Sequence, residues 1–131
     1  MYLTRHVVNL TAGTSGTSTG YTDDICNGYV RAVRYVISTS SPIPTTGTIT
    51  LTGEESGLTV LETTGPAASV TFFPKSRAVL SSDASNVFHT TEAQTAESQT
   101  ELIPVAKERI KFVVASGATS EVEGTFHVYV G

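Results

Sequence analysis

The 131-residue chain has no tryptophan, one cysteine, one methionine and few charges. Each shortage excludes something. A lone cysteine, Cys26, cannot form an internal disulfide. The fold must hold without covalent staples, as in a protein made in a reducing cytoplasm. Cys26 adjoins an apolar run, so it reads as a small buried hydrophobe more readily than as a reactive thiol. Charged residues make up 15% of the chain and the net charge is −4. The eight basic residues are scattered, and the closest grouping is Arg31 with Arg34. That argues against nucleic acid as a partner, because phosphate binding needs clustered Lys and Arg. No segment approaches the roughly 20 apolar residues of a membrane-spanning helix, so no membrane partner is expected. The start, Met-Tyr-Leu-Thr-Arg-His, lacks the charged and apolar regions of a secretory signal. The glycosylation triplet Asn9-Leu10-Thr11 therefore carries little weight.

Ser and Thr take the place of charge, together roughly a quarter of the chain where a quarter is usually charged. Thr favours strands and Ser favours turns. Two runs show the period of two that marks a half-buried strand. In one, Ile110, Phe112 and Val114 point one way, with Arg109 and Lys111 opposite. In the other, Phe126, Val128 and Val130 oppose Thr125, His127 and Tyr129. With a short polar loop between them, they predict a terminal hairpin. Residues 2–10 read as a first strand and 26–38 as the longest. In the latter, Tyr29, Val33, Tyr35 and Ile37 share one face with Arg31, and Val30, Ala32 and Val36 share the other with Arg34. Asn27-Gly28 signals a turn or bulge. Thr48–Thr52 alternates with Ile49 and Leu51 inward, and short strands follow at 58–62 and 69–73. Residues 11–22 and 39–47 read as loops, and 81–100 as irregular with some local helix. The expectation is one domain over 1–131. Its class is all-β: a single antiparallel β-sandwich of jelly-roll or Greek-key type, with about eight short strands and little or no helix.

Catalytic patterns are absent from the sequence. His6, His89 and His127 lack zinc-ligand spacing. The acid pairs Asp23-Asp24 and Glu54-Glu55 put adjacent side chains on opposite sides of an extended segment, which makes each a poor clamp for calcium. Gly13, Gly16 and Gly20 lack the Lys-Ser/Thr pair of a phosphate loop, and no Ser sits in a Gly-x-Ser-x-Gly turn. The reading is of a non-enzyme with no cofactor and no metal. Tyr21, Tyr29 and Tyr35 suit either sheet packing or a contact face. Arg31 and Arg34 suit either solvated strand positions or pairing with carboxylates of a neighbouring subunit.

Four segments carry a resemblance: Gly28–Tyr35, Thr48–Gly57, Leu102–Lys111 and Gly124–Gly131. In that order they resemble small structural proteins encoded by tailed bacteriophages and prophages, over nearly the whole chain. The resemblance implies a virion protein assembled in the host cytoplasm. Its first implied role is capsid decoration or cement, bound to the major capsid protein and to itself, with a trimer favoured. A ring-forming head–tail or tail component is the alternative, and a receptor- or carbohydrate-binding module a further one. Lys75, Lys107 and Lys111 are the only lysines that could guard strand edges, which suggests that neighbouring subunits cover them. The expected contact face comprises Tyr29, Arg31, Arg34, Tyr35, Arg109, Lys111, His127 and Tyr129.

Overall fold

A computed structural model describes residues 2–13, 16–77, 88–90, 96–98, 100–115 and 121–131. Among these residues twelve strands appear in chain order: β1 (Thr4–Ala12), β2 (Thr17–Tyr21), β3 (Cys26–Ile37), β4 (Thr48–Gly53), β5 (Thr59–Thr64), β6 (Val70–Phe72), β7 (Lys75–Arg77), β8 (Phe88–Thr90), β9 (Ala96–Ser98), β10 (Thr100–Glu108), β11 (Ile110–Ala115) and β12 (Val122–Val130). Every pairing is antiparallel. One sheet runs β1-β12-β3-β10-β7, with β6 also paired to β3. A second runs β2-β11-β4-β5, and β8 with β9 forms a separate ribbon. No helix occurs among the described residues. The protein is an all-β sandwich.

The two alternating runs near the end of the chain do not form the expected hairpin. β12 lies in the first sheet between β1 and β3, whereas β11 lies in the second between β2 and β4. Their inward faces are those the alternation predicts: Ile110, Phe112, Val114, Phe126, Val128 and Val130 are all buried. They meet across the core, with the Phe112 and Phe126 rings 5.4 Å apart. Alternation sets which way a side chain points, but not which strand lies alongside.

The face assignment for β3 is also corrected. Tyr129 pairs with Ala32 and Val130 with Val30, so Arg31 is the extra residue of a β-bulge. The bulge shifts the alternation by one. Cys26 and Val30 point inward before it, and Val33 and Tyr35 point inward after it. Tyr29 and Tyr35 therefore lie on opposite faces. The bulge signal at Asn27-Gly28 points to nearby backbone: Gly28 has φ +127°, a conformation that a side chain would strain.

The Ser/Thr-rich stretch expected as a loop supplies the end of β1 and all of β2, which pairs with β11 from Thr17 to Tyr21. Thr alternates there as a strand residue. Gly20 leaves room for Leu10, whose Cδ2 an added Cβ would overlap. The stretch 81–100, expected to be irregular, lies largely outside the described residues; within it, the structure describes β8, β9 and the start of β10. In the 39–47 loop, Ile43 is buried against the Gly124 and Tyr35 region and plugs one end of the core.

Tyr35 is fully buried between the sheets, with its ring 5.4 Å from Phe126. Burial pushes its phenol pKa up, with the Ile43 backbone partly opposing this. The hydroxyl lies near the Ile43 backbone, but no group there reaches hydrogen-bonding geometry with it. An unmet buried hydroxyl costs free energy that the apolar ring does not. Tyr35→Phe should therefore raise the unfolding free energy by about 1 kcal/mol in urea titrations. A loss of stability would show that the hydroxyl is satisfied in solution.

Candidate functional site

The strand that changes sheets is held by charge. β10 belongs to the first sheet and β11 to the second, with only Arg109 between them. Lys107, at φ +53°, makes the corner. Glu108 turns inward and is buried. Its Oε2 accepts the backbone N–H of Glu55 and of Ser56, each at 2.8 Å, and its Oε1 accepts the Ser56 hydroxyl at 2.8 Å. The Ser56 amide is the largest influence holding this carboxyl below its usual range, although burial opposes it. Arg109 points outward and grips Glu54 with two donors, Nε to Oε2 at 2.7 Å and Nη2 to Oε1 at 2.5 Å. Its guanidinium lies 4.4 Å from the Tyr21 ring centroid. The Glu54-Glu55 pair is thus divided between two jobs: one carboxylate binds Arg109 and the other residue's amide binds Glu108. This corner is structural.

The eight residues expected to form one contact face are dispersed. Tyr35 is a correction, because a fully buried ring cannot meet a partner. Arg109 and Lys111 are corrections to the idea of a single face: they flank or belong to β11 in the second sheet. Lys111 sits there between Tyr21 and Thr52. Arg34, His127 and Tyr129 lie on the outer side of the first sheet. His127 is paired with both Val7 and Arg34, and Arg34 Nη1 donates to Thr71 Oγ1 at 3.2 Å. Tyr129 is paired with Arg5 and Ala32.

Tyr29 and Arg31 belong to a different cluster, at the end of the first sheet where β1 and β3 begin. The Gly131 carbonyl oxygen accepts the Tyr29 N–H at 3.3 Å and Arg31 Nε at 2.9 Å. The Arg31 guanidinium stands 5.8 Å from the Tyr29 ring centroid. Tyr2 and Leu3 lie against Gly131 from the other side, and an added Cβ there would come within 2.9 Å of Leu3 Cδ2. Four large apolar residues are exposed at this end: Tyr2 at 93%, Ile25 at 66%, Leu3 at 59% and Tyr29 at 47%. Sequence reasoning found Tyr29 and Arg31 but missed Tyr2, Leu3 and Ile25, since an exposed apolar residue has no mark of its own in sequence.

Among the described residues, cavities open at both ends of the first sheet. One, of about 260 Å³, lies at this apolar end and is lined by Thr4, His6, Asp24, Ile25, Cys26, Asn27 and Val130. Burial pushes the Cys26 thiol up, and its sulfur sits 3.6 Å from Thr22 Oγ1. That is a packed thiol, not an activated nucleophile. The other cavity, of about 370 Å³, lies at the opposite end of the first sheet, where β1 and β3 finish and β12 begins. Asn9, Thr11, Ser38, Thr39, Glu123 and Thr125 supply its polar walls. Among the described residues, no three His, Cys, Asp or Glu side chains are grouped so as to hold a metal ion.

No protein-family model matches the chain. No curated protein matches it. Among solved structures it is similar to FLHE, at 11% sequence identity over 98% of this chain and 96% of that one, with a TM-score of 0.45. That likeness is too slight to carry over a role.

Proposed function

We propose that this protein is a non-enzymatic virion component that decorates a bacteriophage capsid, docking through the apolar end of its first sheet. The observation that carries the reading is the exposure of Tyr2, Leu3, Ile25 and Tyr29 at the end of the first sheet where Leu3 and Tyr29 meet Gly131, with Arg31 beside Tyr29. Tyr and Arg are enriched at the centres of interfaces, where their removal costs most. Exposed apolar residues gathered at one end of a sandwich mark an interaction site. The resemblance of four chain segments to phage structural proteins supplies the kind of partner. A scaffold stiffened by a charged corner and a continuous core suits a part that is repeated many times and must keep its shape.

The reading includes self-association, with a trimer expected. Quantitative mass spectrometry of purified particles should find on the order of hundreds of copies, as a repeated shell lattice requires. About six or twelve copies would point to a ring at the neck or tail instead. Leu3→Asp with Tyr29→Ala should weaken binding to undecorated shells by about 30-fold in co-sedimentation, the loss of roughly 2 kcal/mol at a hot spot. A protein that stays monomeric at high concentration and does not pellet with shells would overturn the reading.

A further inference from the structure

We infer that the polar cavity at the far end of the first sheet is a binding groove for a neutral saccharide, held through a pair of adjacent hydroxyls. The inference goes beyond the capsid reading and does not depend on it. The cavity lies at the opposite end of the sheet from the apolar cluster, so a molecule docked by that cluster leaves the groove open.

The hydrogen-bond inventory of the groove carries the argument. Thr125 Oγ1 donates its only proton to Asn9 Oδ1 at 2.7 Å. That fixes the Asn9 amide with its oxygen satisfied and leaves two N–H donors for an incoming group. It also leaves Thr125 Oγ1 able only to accept. Ser38 Oγ donates to Glu123 Oε1 at 3.3 Å, which leaves the second Glu123 oxygen as a charged acceptor. The groove therefore offers donors and acceptors side by side. A sugar hydroxyl is both donor and acceptor. Two adjacent hydroxyls can accept from Asn9 and donate to Glu123 and Thr125.

The spacing agrees. Asn9 pairs with Thr125, and Thr11 pairs with Glu123, across β1 and β12. Asn9 and Glu123 are thus diagonal neighbours on one face, about 7–8 Å apart at Cα. Their side chains can converge on one diol. Val36, paired with Thr125 on the other side and partly exposed, supplies an apolar patch for the sugar's C–H face. The wall is already in place: the Glu123 N–H donates to the Ser41 carbonyl at 2.8 Å, and the Ser41 N–H donates to Ser38 Oγ at 3.1 Å. A volume of about 370 Å³ is near the lower end for ligand sites and suits one or two sugar rings. Glu123 and the lack of a cation in the lining disfavour phosphate and acidic sugars. With no aromatic shelf, binding to one site is expected in the millimolar range.

The test is saturation-transfer NMR on the intact protein, with the methyl glycosides of mannose, glucose, galactose and N-acetylglucosamine, and sialyllactose as the acidic comparison. At least one neutral glycoside should show transfer. Asn9→Ala and Glu123→Gln should each weaken it about tenfold, while melting as the wild type does because both side chains are exposed. Val36→Trp should tighten it by several-fold, by giving the ring an aromatic shelf. Absence of transfer to all four neutral glycosides would overturn the inference. So would binding that is unchanged in both Asn9→Ala and Glu123→Gln, or sialyllactose binding at least as tight as that of the neutral sugars.

Discussion

Phe126→Ala should lower the unfolding free energy by about 4 kcal/mol and the melting temperature by roughly 15 °C. Phe126 is buried on β12, and its ring centroid lies 5.4 Å from both Tyr35 and Phe112. Tyr35 belongs to the same sheet and Phe112 to the facing one. The Phe126 ring therefore joins the two layers. Truncating it removes apolar contact on both sides and leaves a cavity that backbone hydrogen bonds on both sheets prevent from collapsing. Phe73→Ala is the matched comparison, since Phe73 is largely exposed and should change stability by less than about 0.5 kcal/mol. Urea titrations of the two variants decide the matter. If Phe126→Ala lost no more than Phe73→Ala, the two sheets would not be packed through this ring.

The same ring shows what was legible in the sequence. The inward direction of Phe112 and Phe126 followed from alternation, which neighbouring residues determine. Their placement in opposite sheets did not follow, because an alternating strand offers the same pattern to any partner. The Arg31 bulge was hidden for a similar reason: an inserted residue keeps its ordinary chemistry and only shifts what comes after it. β2 was hidden by composition. Its outward threonines look like loop residues, and its inner side is kept small by Gly20 to admit Leu10. The candidate surfaces were only partly readable. Tyr29 and Arg31 stood out by residue type, but the groove is assembled from β1, the loop after β3, and β12. No spacing along the chain brings Asn9, Ser38 and Glu123 together.

Glu108 was the least legible residue, and it supports the second large effect. In sequence it is one more charge in Lys107-Glu108-Arg109; in the fold it is buried and accepts three hydrogen bonds. Glu108→Ala leaves the Glu55 and Ser56 amides without their acceptor and should cost about 3 kcal/mol. Gly53→Ala should act in the same direction, because a Cβ there would lie 2.6 Å from Glu108 Oε1 and 2.5 Å from Ser56 Oγ. The pH dependence separates charge from shape. The Ser56 amide, above all, holds the folded carboxyl below its ordinary value. As pH falls, the unfolded chain therefore takes up this proton before the folded protein does. The stabilisation is complete above the ordinary value of about 4.3, declines below it, and is gone once the pH has passed the depressed folded value. Glu54, lowered by its hydrogen bond to Arg109, contributes in the same direction from a half-buried position. Glu108→Gln keeps one oxygen for the two amides and carries no charge. Denaturant titrations from neutral pH down through the carboxylate range should thus show wild-type stability falling more steeply than that of Glu108→Gln, with the two curves converging in acid. Parallel curves would mean that the carboxylate is held by shape alone, and that the corner between the sheets does not depend on its charge.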